Sequence, residues 1–302
     1  GIGLTAMFSL LLGNLTKTQL EVAILITSIV TLIFGFILMW ILAWLTATPV
    51  RVVWAALKRV EDGDLSSDLV VFDGTELGEL QRGFNSMVKG LRERERVRDL
   101  FGRHVGREVA AAAEQQRPTL GGEERHVAVL FVDIVGSTQL VSTLPPKEVV
   151  DLLNRFFAVI IEEVDRHSGI VNKFEGDATL AIFGAPVTLD NPDEAALAAA
   201  RTIAERLIRE VPECPAGIGV AAGQVVAGNV GANERFEYTV IGEPVNEAAR
   251  LSELAKSQPG RRVLACADTV AGASESERRC WEIGETVTLR GHDNPTRLAT
   301  LV

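Results

Sequence analysis

The sequence predicts an α+β chain in which a helical N-terminal third gives way to strands alternating with helices. Three observations carry this prediction. Residues 22–45 hold no charged side chain. Residues 50–91 carry two apolar seams stepping by three and four. From His126 onward, short runs of β-branched and bulky residues alternate with amphipathic stretches.

The 302 residues leave room for about two domains. A hydrophobic share of 47% and a mean hydropathy of +0.20 are high for a soluble protein, and the run 22–45 is the source. An uncharged apolar stretch above ~18 residues reads as a membrane-spanning helix. Trp40 and Trp44 suit an interfacial belt, and Arg51, Lys58 and Arg59 beyond them suit the cytoplasmic side. The first residues, G-I-G-L-T-A-M-F-S-L-L-L-G, are too short to span and lack the basic start of a signal peptide, so they read as the tail of a preceding helix. The expectation is a multi-pass protein of the inner or plasma membrane, in contact with lipid through residues 1–46, with its C-terminal bulk in the cytoplasm.

A formal charge of −10 without a basic stripe argues against nucleic acid as a partner. Cys214, Cys266 and Cys280 form no C-x-x-C pair, which excludes a zinc or disulfide framework and fits a reducing compartment.

Val50, Val53, Leu57 and Val60 form one seam, and Leu77, Leu80, Phe84, Met87 and Leu91 another, with a break at 63–74 between them. Two short helices joined by an extended connector are implied, with Pro49 in the first turn of the first. Neither helix can bury its seam alone, so a parallel four-helix bundle in a dimer is the natural packing. Pro49 and D-G-T-E-L-G-E-L-Q-R-G-F-N-S-M at 73–87 resemble a HAMP domain, the signal-relay module that follows a membrane helix; the resemblance covers 47–98. The charged run R-E-R-E-R-V-R-D at 92–99 reads as a solvated helical face that prolongs this helix, and 99–123 as a coupling helix or linker.

The motifs that carry chemistry lie in 124–302. In F-V-D-I-V-G-S-T at 131–138, Asp133 ends a buried strand, and in N-K-F-E-G-D-A at 172–178, Asp177 lies in a hairpin turn. A helix over 146–167 separates the two, an alanine-rich helix over 193–209 follows, and strands are expected near 217–222, 224–228 and 237–241. This βαββαβ order gives a ferredoxin-like antiparallel sheet with helices on one face and both aspartates on neighbouring central strands. Two such carboxylates would hold Mg²⁺ or Mn²⁺ against substrate phosphates, whereas either turn alone would be an ordinary surface feature.

A third motif, Y-T-V-I-G-E-P-V-N-E-A-A-R-L at 238–251, places Asn246 and Arg250 on one helical face. Together the three motifs resemble the class III nucleotidyl cyclases, and specifically a membrane-anchored, HAMP-containing adenylate cyclase. The resemblance implies that Asp133, Asp177 and the Ile134 carbonyl hold two Mg²⁺ or Mn²⁺ per active site. It further implies that the backbone of Val135, Gly136, Ser137 and Thr138 cradles phosphate, that Asn246 orients the ribose, and that Arg250 neutralises charge at the α-phosphate. Arg290 in T-L-R-G-H matches the family's late basic phosphate contact. Lys173 matches the purine-reading lysine of adenylate cyclases and Thr239 its partner position, where a hydroxyl discriminates less strictly against GTP. In the family, Lys173 and Thr239 act with the metals of one subunit and the Asn-Arg pair of the other, so this chain would form a homodimer with two composite sites converting ATP to cyclic AMP and pyrophosphate. The alternatives are a catalytically silent relay and a purine-promiscuous or guanylate cyclase. A diguanylate cyclase is disfavoured because its Gly-Gly-Asp/Glu-Glu-Phe turn is absent.

Overall fold

A computed structural model describes residues 17–71, 76–106, 108–111, 119–291 and 295–302. The apolar stretch before residue 17, read from sequence as the tail of a further helix, lies outside these residues. The chain divides into two units, one ending at Val97 and one running from Arg98 to Val302.

In the first unit, α1 (Lys17–Glu61) is a single helix, and its apolar side chains from Val22 to Leu45 stand exposed. Its length and mean hydropathy of 2.7 over the most apolar window are sufficient to cross a membrane. Pro49 lies inside this helix, where the sequence reading placed it at a helix start. The Thr46 and Thr48 hydroxyls donate to the Leu42 and Trp44 carbonyls one turn back, as Thr27 and Thr31 do to Ala23 and Thr27 further up the helix.

α2 (Glu76–Val105) follows, with Glu76 and Glu79 in its first turn complementing the helix dipole. It continues through the charged run, as the sequence predicts. Between α1 and α2, Val53 and Ala56 meet Leu69, Phe84 and Val88 in a small core. Asn85 clamps the connector with both ends of its amide: Leu69 N–H donates to Oδ1 and Nδ2 donates to the Leu69 carbonyl, each at 2.8 Å. Part of each seam remains outside this core, since Val50, Leu57, Leu80 and Met87 are exposed.

The second unit is built on an eight-stranded sheet. Its elements are β1 (Gly121–Ile134), α3 (Ser137–Thr143), α4 (Pro146–Arg166), β2 (Ile170–Glu175), β3 (Ala178–Phe183), α5 (Pro192–Glu210), β4 (Ala216–Ala232), β5 (Arg235–Ile241), α6 (Glu243–Ala255), β6 (Val263–Cys266), α7 (Ala267–Gly272), α8 (Glu275–Arg278), β7 (Trp281–Val287) and β8 (Thr296–Leu301). The strand order is β2-β3-β1-β4-β6-β8-β7, with β5 paired to β4. Its first four strands are the ferredoxin-like order expected from βαββαβ. Alternation along β1 separates two cores. Ala128, Leu130, Val132 and Ile134 face α4 and α5 through Phe156, Ile160, Leu197 and Ile203. Val127 and Val129 face the opposite side, where Ala248, Leu251 and Ala255 of α6 cover them.

β4 is one strand of 17 residues where the sequence suggested two. Gly223, read as a break, stays in register opposite Val127. Its missing side chain instead makes room for α6, since a Cβ there would lie 2.9 Å from Pro244 Cγ.

Candidate active site

The antiparallel register of β1 and β3 pairs Asp133 with Ala178, the residue next to Asp177 in the β2–β3 turn. The hairpin therefore delivers Asp177 to the end of β1, close enough for its carboxyl group to raise the pKa of Asp133. As an odd-numbered β1 residue, Asp133 points to the α6 face. Burial raises its pKa, and Asp177 adds to the rise, while the Lys256 ammonium opposes it. Lys256 Nζ lies 2.6 Å from Asp133 Oδ2.

Two half-buried carboxylates held together against their mutual repulsion suit a cation. Among the described residues no cluster of three or more His, Cys, Asp or Glu side chains suits a metal. The fit is therefore to a hard ion that takes two carboxylates and a carbonyl from the protein and the rest of its oxygens from substrate and water, as Mg²⁺ and Mn²⁺ do. Ile134 is the neighbouring carbonyl; its side chain is buried, which fixes the backbone at that point.

After Ile134 the chain turns through Gly136 at φ +72°, a left-handed conformation that favours glycine, into α3. The Val135 N–H donates to the Pro215 carbonyl at 2.7 Å, so that donor is engaged. The N–H groups of Ser137 and Thr138 belong to the first turn of α3, which has no intrahelical acceptor for them.

Lys173 and Thr239, the positions that the resemblance links to purine reading, converge elsewhere in the unit. Lys173 Nζ pairs with Glu237 Oε1. Asn172 Nδ2 donates to the Tyr238 carbonyl at 2.7 Å, and the buried Thr239 hydroxyl donates to Asn172 Oδ1 at 3.3 Å. Asn172 thus ties β2 to β5 and holds Lys173 near Thr239. A cavity of about 1580 Å³ is lined by Asn172, Lys173, Glu237 and Tyr238, and neither Asp133 nor Asp177 borders it.

α6 packs hard on β4. A Cβ on Gly219 would lie 2.1 Å from the Ala248 carbonyl oxygen, and one on Gly217 would lie 2.2 Å from that of Ser252. Its face toward the sheet is Ala248, Leu251 and Ala255, while Asn246 and Arg250 stand exposed on another. Within one chain, then, the structure brings Asp133 and Asp177 together and Lys173 and Thr239 together, and it turns Asn246 and Arg250 outward. Arg290 is exposed in the turn after β7. Sequence reasoning missed Lys256, Glu237 and Asn172; the last two stand inside or beside the quoted motifs, whereas Lys256 has no motif of its own.

A family model described as the adenylate and guanylate cyclase catalytic domain matches residues 122–296, and one for the HAMP domain matches 41–93. An uncharacterized protein of Mycobacterium tuberculosis is 74% identical over 99% of this chain and 56% of its own length, and another from Mycobacterium bovis is 72% identical over 100% and 53%. The chain spans about half the length of these curated relatives. Among solved structures, a bacterial light-regulated adenylyl cyclase matches with a TM-score of 0.62 at 23% identity, covering 76% of this chain and 65% of its own. A guanylyl cyclase matches with a TM-score of 0.51 at 26% identity, over 60% and 94%. An adenylyl cyclase from P. aeruginosa matches with a TM-score of 0.54 at 24% identity, over 61% and 96%.

Proposed function

We propose, for a chain that belongs to the adenylate and guanylate cyclase family and carries a HAMP domain ahead of its catalytic domain, that it makes cyclic AMP from ATP at sites shared between two copies of itself. The observation that carries this reading is the split within one chain: the carboxylate pair gathers at the β1–β3 end while Asn246 and Arg250 of α6 face outward. Two-fold symmetry would set the outward pair of each copy against the carboxylates of the other.

Asp133, Asp177 and the Ile134 carbonyl would hold two divalent ions. When bound, such ions lower the pKa of the ribose 3′-hydroxyl and neutralise the triphosphate. The 3′-oxygen attacks the α-phosphorus in line, the bond to the β-phosphate oxygen breaks, and pyrophosphate leaves. Asn246 orients the ribose for that attack, and Arg250 presents a fixed guanidinium to the charge growing on the α-phosphate. The N–H groups of Ser137 and Thr138, with Gly136 allowing the turn, would receive phosphate oxygen, and Arg290 would meet the far end of the triphosphate.

Lys173 and Thr239 support ATP as the preferred purine. An ammonium donates to adenine N1 and opposes the N1–H of guanine, while the Thr239 hydroxyl accepts from the adenine 6-amino group. The hydroxyl can also donate, so GTP would be rejected by a moderate factor.

We further propose that α1 anchors the protein in the inner or plasma membrane, in a multi-pass arrangement with the catalytic domain in the cytoplasm. The exposed seam residues within 50–91 would close into a four-helix bundle in the dimer and set the relative rotation of the catalytic domains. The segments read as units are 1–46, 47–98, 99–123 and 124–302. The test is cyclic nucleotide production by the purified chain with Mn²⁺, ATP and GTP in parallel, over a range of protein concentrations. Cyclic AMP in excess, rising more steeply than linearly with protein, supports the reading. Product from neither nucleotide, in a folded dimer that binds ATP, would refute it in favour of a silent relay.

A further inference from the structure

We infer that Lys256 is a positioning residue of the metal site: its ammonium occupies Asp133 Oδ2 and must leave before a divalent ion can bind there. The inference rests on the reading of Asp133 and Asp177 as metal ligands. The placement is built into the packing. Asp133 pairs in register with Gly217 on β4. A Cβ on Gly217 would lie 2.8 Å from Lys256 Cγ, so the lysine stem crosses the space the glycine leaves empty and its Nζ arrives 2.6 Å from the carboxylate on the next strand. The Lys256 side chain is 23% exposed and Asp133 is 20% exposed, so this pair is shielded more than a surface contact.

An alternative resting place lies close by. Glu253, one turn earlier on α6, has its Oε2 3.7 Å from the same Nζ and is 70% exposed. Lys256 can therefore exchange Asp133 for Glu253 by side-chain rotation, without movement of the helix. While it rests on Asp133, its charge offsets the repulsion between the Asp133 and Asp177 carboxyl groups with no metal bound. The consequence is a weaker resting affinity for free metal than two carboxylates alone would give.

The experiment is a titration of the full chain in detergent with Mn²⁺ alone, free ion being read by electron paramagnetic resonance, without nucleotide. Wild type should show a site that Asp133→Asn removes. Lys256→Met should bind Mn²⁺ about tenfold more tightly, the scale expected for removing a partly shielded competing charge. Lys256→Gln serves equally should the Met variant fold poorly. Lys256→Arg should return the affinity to within about threefold of wild type, because a cation again faces Asp133. Arg261→Gln, which removes a charge that instead faces Glu205 at 3.6 Å, should leave the affinity unchanged. Unchanged or weaker binding by Lys256→Met and Lys256→Gln, with the Asp133-dependent site present, overturns this inference alone. Equal tightening by Arg261→Gln also overturns it, since the effect would then be bulk charge. Mn²⁺ binding that Asp133→Asn does not affect overturns the metal-site reading itself.

Discussion

Replacing Arg206 with methionine removes the principal partner of a carboxylate buried between α4 and α5. Glu163 is 0% exposed, and its Oε1 accepts from Arg206 at 2.8 Å and also from Arg166. Arg206 further bonds Glu162 and Glu210, each at 2.8 Å, so one guanidinium joins three carboxylates. Burial alone would raise the Glu163 pKa, but hydrogen bonds from Arg206 and Thr202 and the charges of Arg166 and Arg206 more than reverse this, leaving it below the usual range. Stranding a buried charge costs about 3–5 kcal/mol. Arg166 stays on the same oxygen but is 61% exposed and screened, so the expected loss is about 2–3 kcal/mol. For a domain of this size that is a fall in Tm of roughly 4–12 °C by thermal unfolding at pH 7. A depressed carboxylate pKa contributes stability above its unfolded value and loses it as pH falls through the folded one. The gap between variant and wild type should therefore narrow as pH drops below about 4.5. The pair Glu163→Met with Arg206→Met should recover most of the loss, because no buried charge remains. An Arg206→Met protein within about 0.5 kcal/mol of wild type, or a double variant less stable than the single, refutes the reasoning.

Three further outcomes follow from the same structure. Asp133→Asn should lower turnover at least ~10³-fold, the scale of losing transition-state charge stabilisation, while circular dichroism melting shows Tm within about 3 °C of wild type. Lys173→Glu should lower kcat/KM for ATP by about 100-fold and raise the GTP:ATP ratio, checked by paired steady-state assays, since it replaces a donor by an acceptor and sets a second carboxylate beside Glu237. At pH 8, iodoacetamide followed by mass spectrometry should label Cys280 and spare Cys214 and Cys266. Both spared thiols are buried, burial raises the pKa of each, and that of Cys266 reaches about 11.

What the sequence disclosed tracks the range of the interactions involved. The β1 strand, the Gly176-Asp177 turn and α4 were legible because alternation, turn chemistry and helical period are local signals. The meeting of Asp133 with Asp177 was legible because the hairpin has few ways to sit beside β1. Pro49 was misplaced because local preference favours proline at a helix start, whereas the apolar helix simply runs through it. Gly223 read as a break because its function, admitting Pro244 of α6, depends on a residue distant in sequence. The same holds for Val135, whose N–H is taken by Pro215, and for Lys256, whose reach to Asp133 depends on α6 lying directly over Gly217. Part of the HAMP seam is buried within one chain, at Val53 and Phe84 with Val88 outside the predicted seam beside them, which the period alone could not separate from the part left exposed.

The central claim is that each active site takes its carboxylates from one chain and Asn246 and Arg250 from another, and coexpression of two inactive full-length variants tests it most directly. Asp133→Asn and Arg250→Ala should each be nearly silent alone. Mixed equally, half the dimers are mixed and each has one intact site of two, so cyclic AMP production should return to about 25% of wild type. A mixture no more active than the two variants measured separately would contradict the account and place the whole site within a single chain.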